Sequence, residues 1–266
     1  MLLNDEVYGQ TTQRTGARSK ATVDRLVLQK LNSGVLQTAT LSECLSVDFA
    51  ALMTNVCPEI RQISIEKMKE AAGLGITKRM ALAATILSEQ LNAKSMNLLA
   101  QHPSDTVRGW AAYGIAIDSS ARLENQLNRM LPLADDDHFG VREWAWLALR
   151  PAIAKEITHS IQLLLPWSTH HSANVRRFAI EVTRPRGVWS KHIATLKATP
   201  DLGALLLDRV MEDSSRYVQD SAANWLNDAS KSAPDWVVQY CEKWRKKSDS
   251  QAVRYITRRA LRNIAP

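Results

Sequence analysis

A nine-residue segment recurs along the second half of the chain and constrains the fold more than any other feature. It reads VRGWAAYGI from Val107, VREWAWLAL from Val141 and VRRFAIEVT from Val175, and returns as VQDSAANWL from Val218 and VRYITRRAL from Val253. The copies start 34, 34, 43 and 35 residues apart. Periods of this length are those of stacked helical units, in which each unit buries its apolar face against its neighbours. The long step predicts an insertion, placed at RPRGVWSKH (184–192). Each copy follows a polar cluster suited to capping a helix: PSD, DDDHFG, HSAN, EDSS and KSDS in turn. Within the copies apolar residues fall at steps of three and four, as in Val141, Trp144, Ala145, Ala148 and Leu149. Alanine holds the fifth position in four copies (Ala111, Ala145, Ala179, Ala222), which lets adjacent helices approach closely.

The rest of the chain fits the same plan. Shorter amphipathic helices are predicted near 120–133, 157–167, 201–212 and 233–247. Another pair is predicted over 59–72 and 76–92, and one further helix over 22–33. Residues 1–20 have little periodicity and read as a loose arm. No linker divides the chain, so the expectation is one all-α solenoid domain over 1–266, curved, with a basic concave face. Glycine (10) and proline (9) are too sparse for the many turns of a β-rich protein of 266 residues.

The net charge of +7 favours a polyanionic partner. Eight of the basic residues lie between Lys243 and Arg262 against one acid, Asp249, although a solvated surface would have the same composition. Three cysteines without pair spacing, and six histidines without ligand spacing, point away from disulfides, metal and cofactor. MLLNDEVYGQ is too polar for a signal peptide and no apolar run approaches a membrane span. The expectation is a cytoplasmic monomer that touches no membrane.

Three elements carry a family resemblance: REWAWLALRPAI (142–153), NVRRFAIEVTRPRGVW (174–189) and EDSSRYVQDSAANWLNDASK (212–231). They resemble the acidic-aromatic-Ala…Arg-Pro, Arg-Arg…Glu…Arg-Pro-Arg…Trp and Ser-x-Ala-Asn-x-Leu-Asn-Asp elements of the HEAT-like repeat DNA alkylation repair glycosylases, the AlkC/AlkD type, with AlkC the nearer branch. The match is weaker over the first half of the chain. With the sequence continuing only to Pro266, the repeat part is expected without the extra C-terminal β domain of some AlkC-type proteins. The resemblance implies a face that grips duplex DNA, and in active members hydrolysis of the N-glycosidic bond of an alkylated base. Other relatives bind DNA without excision, and a protein-binding scaffold remains the third alternative.

Excision of a cationic base needs little general acid, because the base already leaves well. It needs a carboxylate beside the sugar, aromatic rings for the cation and Arg or Lys for the phosphates. Glu143 occupies the acidic position of the first element and ranks first, ahead of Glu181 and Asp228. Asp228, with Asn227, could instead bridge the last repeats. Trp110, Trp146 and Trp189 are the candidate aromatic contacts, whereas Trp144 lies on the apolar stripe and reads as core. Glu143 could also form a surface ion pair towards Arg150. Arg108, Arg142 and Arg176 share one repeat position with Arg254. They could form a phosphate-binding ladder, or a structural one held by acids such as Asp136. Arg177, Arg184, Arg186 and Lys191 are crowded beside one acid and read as phosphate contacts.

Overall fold

The computed structural model describes residues 14–187 and 189–264, and among these there is no β-strand. Six helix pairs follow an entry segment of α1 (Arg25–Asn32), α2 (Leu41–Cys44) and α3 (Phe49–Val56). The pairs are α4 (Gln62–Glu70) with α5 (Ile76–Gln90), α6 (Ala93–Leu99) with α7 (Asp105–Ile117), and α8 (Leu123–Ala134) with α9 (Phe139–Lys155). Then come α10 (Ile157–Leu164) with α11 (Ala173–Val182) and, after the short α12 (Ala194–Ala198), α13 (Ala204–Arg209) with α14 (Arg216–Ser230). The last pair is α15 (Pro234–Lys247) with α16 (Gln251–Ala260). All five sequence copies fall on the second helix of a pair. These second helices pack side by side in chain order, α5 on α7, α7 on α9, and so on to α14 on α16. The chain is therefore an all-α solenoid.

Polar caps start the copies as the sequence indicates, with Ser104, His138, Ser172, Ser215 and Ser250 at the N-caps. The His138, Ser172 and Ser250 side chains each accept a backbone N–H of the first turn. Buried apolar side chains form one continuous cluster from Leu31 to Ala260, with Trp110, Trp225 and Trp244 as its largest fully buried members. Burying such rings contributes several kcal/mol each at about 25 cal/mol per Å². The four recurring alanines are all buried between neighbouring second helices. Gly109 marks a close approach between second helices. A Cβ there would stand 2.3 Å from the Met80 methyl and 2.7 Å from Trp144, so a larger residue would push α5 or α9 away from α7.

One expectation needs correction. The predicted loose arm lies outside the described residues over 1–13, but residues 14–20 are held. Arg14 clamps the buried Glu43 carboxylate at 2.7 and 2.6 Å, and the Ala17 N–H donates to it at 3.0 Å. Burial alone would push the Glu43 carboxyl up, yet these donors outweigh it and hold it below the usual carboxylate range. The 43-residue step also holds α12 and a 3₁₀ turn at Pro200–Gly203 after the 184–192 segment.

Candidate nucleic-acid interface and its carboxylates

The third position of each copy holds Gly109, Glu143, Arg177, Asp220 and Tyr255; Gly109 is buried against α5 and α9, whereas Glu143, Asp220 and Tyr255 keep partial exposure. Stacking the repeats brings successive members together, so Arg177 Nη2 donates to Glu143 Oε1 at 2.6 Å across 34 residues of sequence. Glu181 follows on α11 and Arg184 just beyond its end, and α14 supplies the last acid. Arg177 lies 3.7 Å from Glu181, Arg184 donates to Glu181 at 3.1 Å, and Arg184 contacts Asp228 at 2.7 Å. Lys231 closes the chain 3.5 Å from Asp228. The result is an alternating network of three carboxylates and three cations, neutral in sum, crossing α9, α11 and α14.

The network brings together all three carboxylates singled out in the sequence, but it does not expose them equally. The Glu143 side chain is 31% exposed, against 4% for Glu181 and 7% for Asp228. Burial alone would push the Glu181 carboxyl up. Arg177, Arg184 and the Ser221 hydroxyl, which donates at 2.7 Å, outweigh it and hold the group below the usual carboxylate range. Glu143 takes its second hydrogen bond from the indole N–H of Trp146 at 2.8 Å. An external molecule can therefore reach one carboxylate, and its orientation is fixed from two sides.

Several site assignments change. Trp110 is fully buried, with its indole against Phe49 (ring centroids 5.5 Å apart), and is core rather than a DNA contact. Trp146 is 5% exposed, and its N–H is directed to Glu143. Trp144 is core, in agreement with its place on the apolar stripe. Trp189 is half exposed and the one non-glycine described residue at positive φ (59°). It lines a groove of about 830 Å³ with Leu147, one helical turn along α9 from Glu143.

Arg177 and Arg184 are not spare cations. Both are engaged by the carboxylates above, and Arg177 also lies 4.3 Å from the Tyr217 ring centroid. Arg108 and Arg176 are likewise paired, to Asp136 and Asp213. Asp136 holds the arginine of the preceding repeat, Arg108; to Arg142 it offers only its backbone carbonyl. Arg254 pairs with Asp249 at the surface. Among the described residues Arg186 donates only to the Ser232 hydroxyl. The Lys191 side chain makes no hydrogen bond or ion pair among the described residues, while its carbonyl accepts from Arg150. Arg150 does not pair with Glu143. It is buried, donates to the carbonyls of Val182, Arg184 and Lys191, and so fixes the start and end of the 184–191 loop. Burial and the neighbouring Arg184 charge bring its guanidinium down to about 10, still charged at neutral pH. Asn227 does bridge the last repeats, donating to the Ala260 carbonyl.

Sequence reasoning missed Tyr217 and Ser221, although the repeat alignment marks both. Tyr217 stands where other copies have Thr106, Gly140, Asn174 and Ala252. Ser221 stands where they have Trp110, Trp144, Phe178 and Ile256. A small hydroxyl in a core aromatic slot signals a buried polar partner, here Glu181.

The split roles of neighbouring arginines give a direct test. Arg184→Ala should cost about 3 kcal/mol, the lower end for breaking a buried ion pair from one side, because Arg177 and Lys231 still face the two carboxylates it leaves. Arg186→Ala should leave the melting temperature nearly unchanged. Thermal melts of the two variants separate these outcomes.

Among the described residues no group of three or more His, Cys, Asp or Glu side chains is arranged to hold a metal ion. No described helix is long and apolar enough to cross a membrane. Cys44, Cys57 and Cys241 are buried, and burial pushes each thiol up to about 12, so none is a ready nucleophile.

A row of paired helices whose outward face carries arginines around a few fixed carboxylates defines an α-solenoid of HEAT-like repeats with a polar working face. Residues 143–264 match the family model described as DNA alkylation repair enzyme. The chain is similar to the Pseudomonas fluorescens alkylpurine DNA glycosylase AlkC, solved bound to DNA containing an abasic site analog. The identity is 28% and the TM-score 0.65, over 83% of this chain and 62% of that one. AlkD2 from Streptococcus mutans shares the fold, with a TM-score of 0.61 at 21% identity over 78% of this chain and 100% of that one. The uncharacterized protein YhaZ of Bacillus subtilis (strain 168) is 40% identical over 97 residues, 36% of this chain and 27% of that protein. The chain thus spans less than two thirds of AlkC and of YhaZ. Its second half is similar to the DNA alkylation repair family, and the chain shares the fold of AlkC and AlkD2.

Proposed function

We propose that this protein binds duplex DNA and hydrolyses the N-glycosidic bond of alkylated, cationic bases. The observation that carries the reading is the Glu143 carboxylate, partly open to solvent and held by Arg177 and Trp146 on the face that bears the family's motifs. In the reaction the glycosidic electron pair leaves with the base, which becomes neutral. The sugar passes through an oxocarbenium-like state that Glu143 stabilises, and water adds at the anomeric carbon while Glu143 takes its proton. Trp189 is the exposed aromatic available to the base. Arg186, Lys191 and the basic C-terminal segment supply phosphate contacts. Such a protein works as a monomer in the cytoplasm.

A second reading is DNA binding without excision. It is favoured by the fact that both Glu143 oxygens already accept internal hydrogen bonds. Incubation with alkylated duplex, scoring released base, separates the two: release supports the first, and tight binding without release supports the second. In either case affinity for duplex should fall by roughly 0.9 log unit per log unit of salt for each phosphate contact. A flat salt response in a binding titration would remove DNA as the partner.

A further inference from the structure

The turn before each copy is built to one plan. Its leading residue is His102, Asp136, His170, Asp213 or Ser248, and in each case the side chain accepts the backbone N–H two residues on, at 2.8–3.2 Å. Six residues later stands Arg108, Arg142, Arg176, Gln219 or Arg254. The first three arginines each donate through Nη1 to two carbonyls of their own turn: His102 and Pro103, Asp136 and Asp137, His170 and His171. Gln219 does the same once, to Asp213.

The rest of the guanidinium is free to reach the corresponding turn of the next repeat, and there the arginines differ. Arg108 grips Asp136 through Nε at 2.8 Å and Nη2 at 3.2 Å. Arg176 grips Asp213 through the same two atoms at 2.6 and 2.9 Å. For Arg142 the corresponding turn residue is His170, whose ring nitrogen is already occupied by its own turn. Among the described residues no carboxylate lies within ion-pair reach of Arg142. Its Nε instead donates to the Tyr217 hydroxyl at 3.3 Å, its guanidinium lies 5.3 Å from the Tyr217 ring centroid, and its Nη2 makes no hydrogen bond. Nor is that nitrogen a buried orphan, unlike Nε of Arg177 or Arg186. Arg177, the partner of Glu143, covers the same tyrosine ring.

We infer that Arg142 is the ladder arginine kept for an external anion, the phosphodiester beside the damaged nucleotide, while Arg108 and Arg176 serve the fold. The vacancy is created by histidine in a slot where its equivalents for Arg108 and Arg176 are aspartate. The cation it leaves unpaired is sequence neighbour to Glu143 and joined to the same aromatic support. A phosphate held there would position the adjoining sugar against the carboxylate. The identity of the anion as DNA phosphate rests on the function proposed above.

The test is titration of an undamaged fluorescent duplex across a salt series, with thermal melts, for wild type, Arg142→Gln, Arg108→Gln and His170→Asp. Arg142→Gln should weaken binding about tenfold at low salt, the scale of one hydrogen bond to a charged group. It should also flatten the log–log salt slope by about 0.9 and leave the melting temperature nearly unchanged. Arg108→Gln should melt lower and keep the wild-type slope. His170→Asp, which supplies the absent carboxylate, should lose affinity and slope as Arg142→Gln does, without melting lower. A wild-type slope in Arg142→Gln, or unimpaired binding by His170→Asp, overturns the inference. Wild-type protein that binds steeply but releases no base from methylated duplex would remove the enzymatic reading and leave this one standing. Wild-type protein that does not bind would remove both.

Discussion

Glu143→Gln should retain duplex affinity and lose base release by about 10²–10³, the usual cost of removing an aimed electrostatic contact from a transition state. The substitution preserves size and can still receive a hydrogen bond from Trp146 or Arg177 on its remaining oxygen. It deletes the negative charge that would face the sugar as the base departs. The measurement is single-turnover release of a methylated purine from duplex DNA, with affinity taken from a parallel binding titration. Equal rates for variant and wild type would rule out Glu143. They would also leave the enzymatic reading without a carboxylate at the surface, since Glu181 and Asp228 are almost fully covered by their arginines. A variant that loses affinity and rate together would instead mark Glu143 as an organiser of the DNA-binding face through Arg177.

The repeat spacing already contained the architecture, because each copy carries its own cap, its apolar stripe and a small residue at the packing point. Helices without that stripe were harder to read. Phe49–Val56 is a short apolar run with four buried members and no clear polar side, so its periodicity cannot be told from a loop or a strand. The interface was legible as a set of residues but not as a set of partners. Glu143 and Arg177 are 34 residues apart and Arg184 and Asp228 are 44 apart. Those pairings depend on how one repeat is offset against the next, which local sequence does not encode. The same blindness turned Arg177 and Arg184 into expected phosphate contacts. It also made Trp146 a DNA contact when its N–H is directed to Glu143. What the sequence did hold was the exceptional residue at a repeated position: Tyr217 among small residues, Ser221 among large apolar ones, and His170 in the slot that faces Arg142, where Arg108 and Arg176 meet aspartate. Each marks a place where the working face departs from the packing rule.

The largest stability effect should come from the centre of the charge network. Glu181 holds Arg177 and Arg184 on either side of it and accepts the Ser221 hydroxyl, all in a nearly closed environment. Glu181→Ala leaves two arginines close together with one carboxylate fewer between them. Breaking a buried pair from one side typically costs about 3–5 kcal/mol. At roughly 2–4 °C per kcal/mol for chains approaching this size, the melting temperature should fall by about 10 °C. The effect must also depend on pH in one direction. The carboxyl is held below its ordinary value of 4.5 in the folded protein, so its contribution is complete above that value and is lost as pH falls through the lowered one. The gap in melting temperature between wild type and Glu181→Ala should therefore be constant at neutral pH and shrink on strong acidification. Glu181→Gln, which keeps an oxygen for Ser221 but no charge, should melt between the two at neutral pH. A gap that does not narrow in acid would mean that Glu181 acts through packing alone, and that the arginines beside it are neutralised by Glu143 and Asp228 without its help.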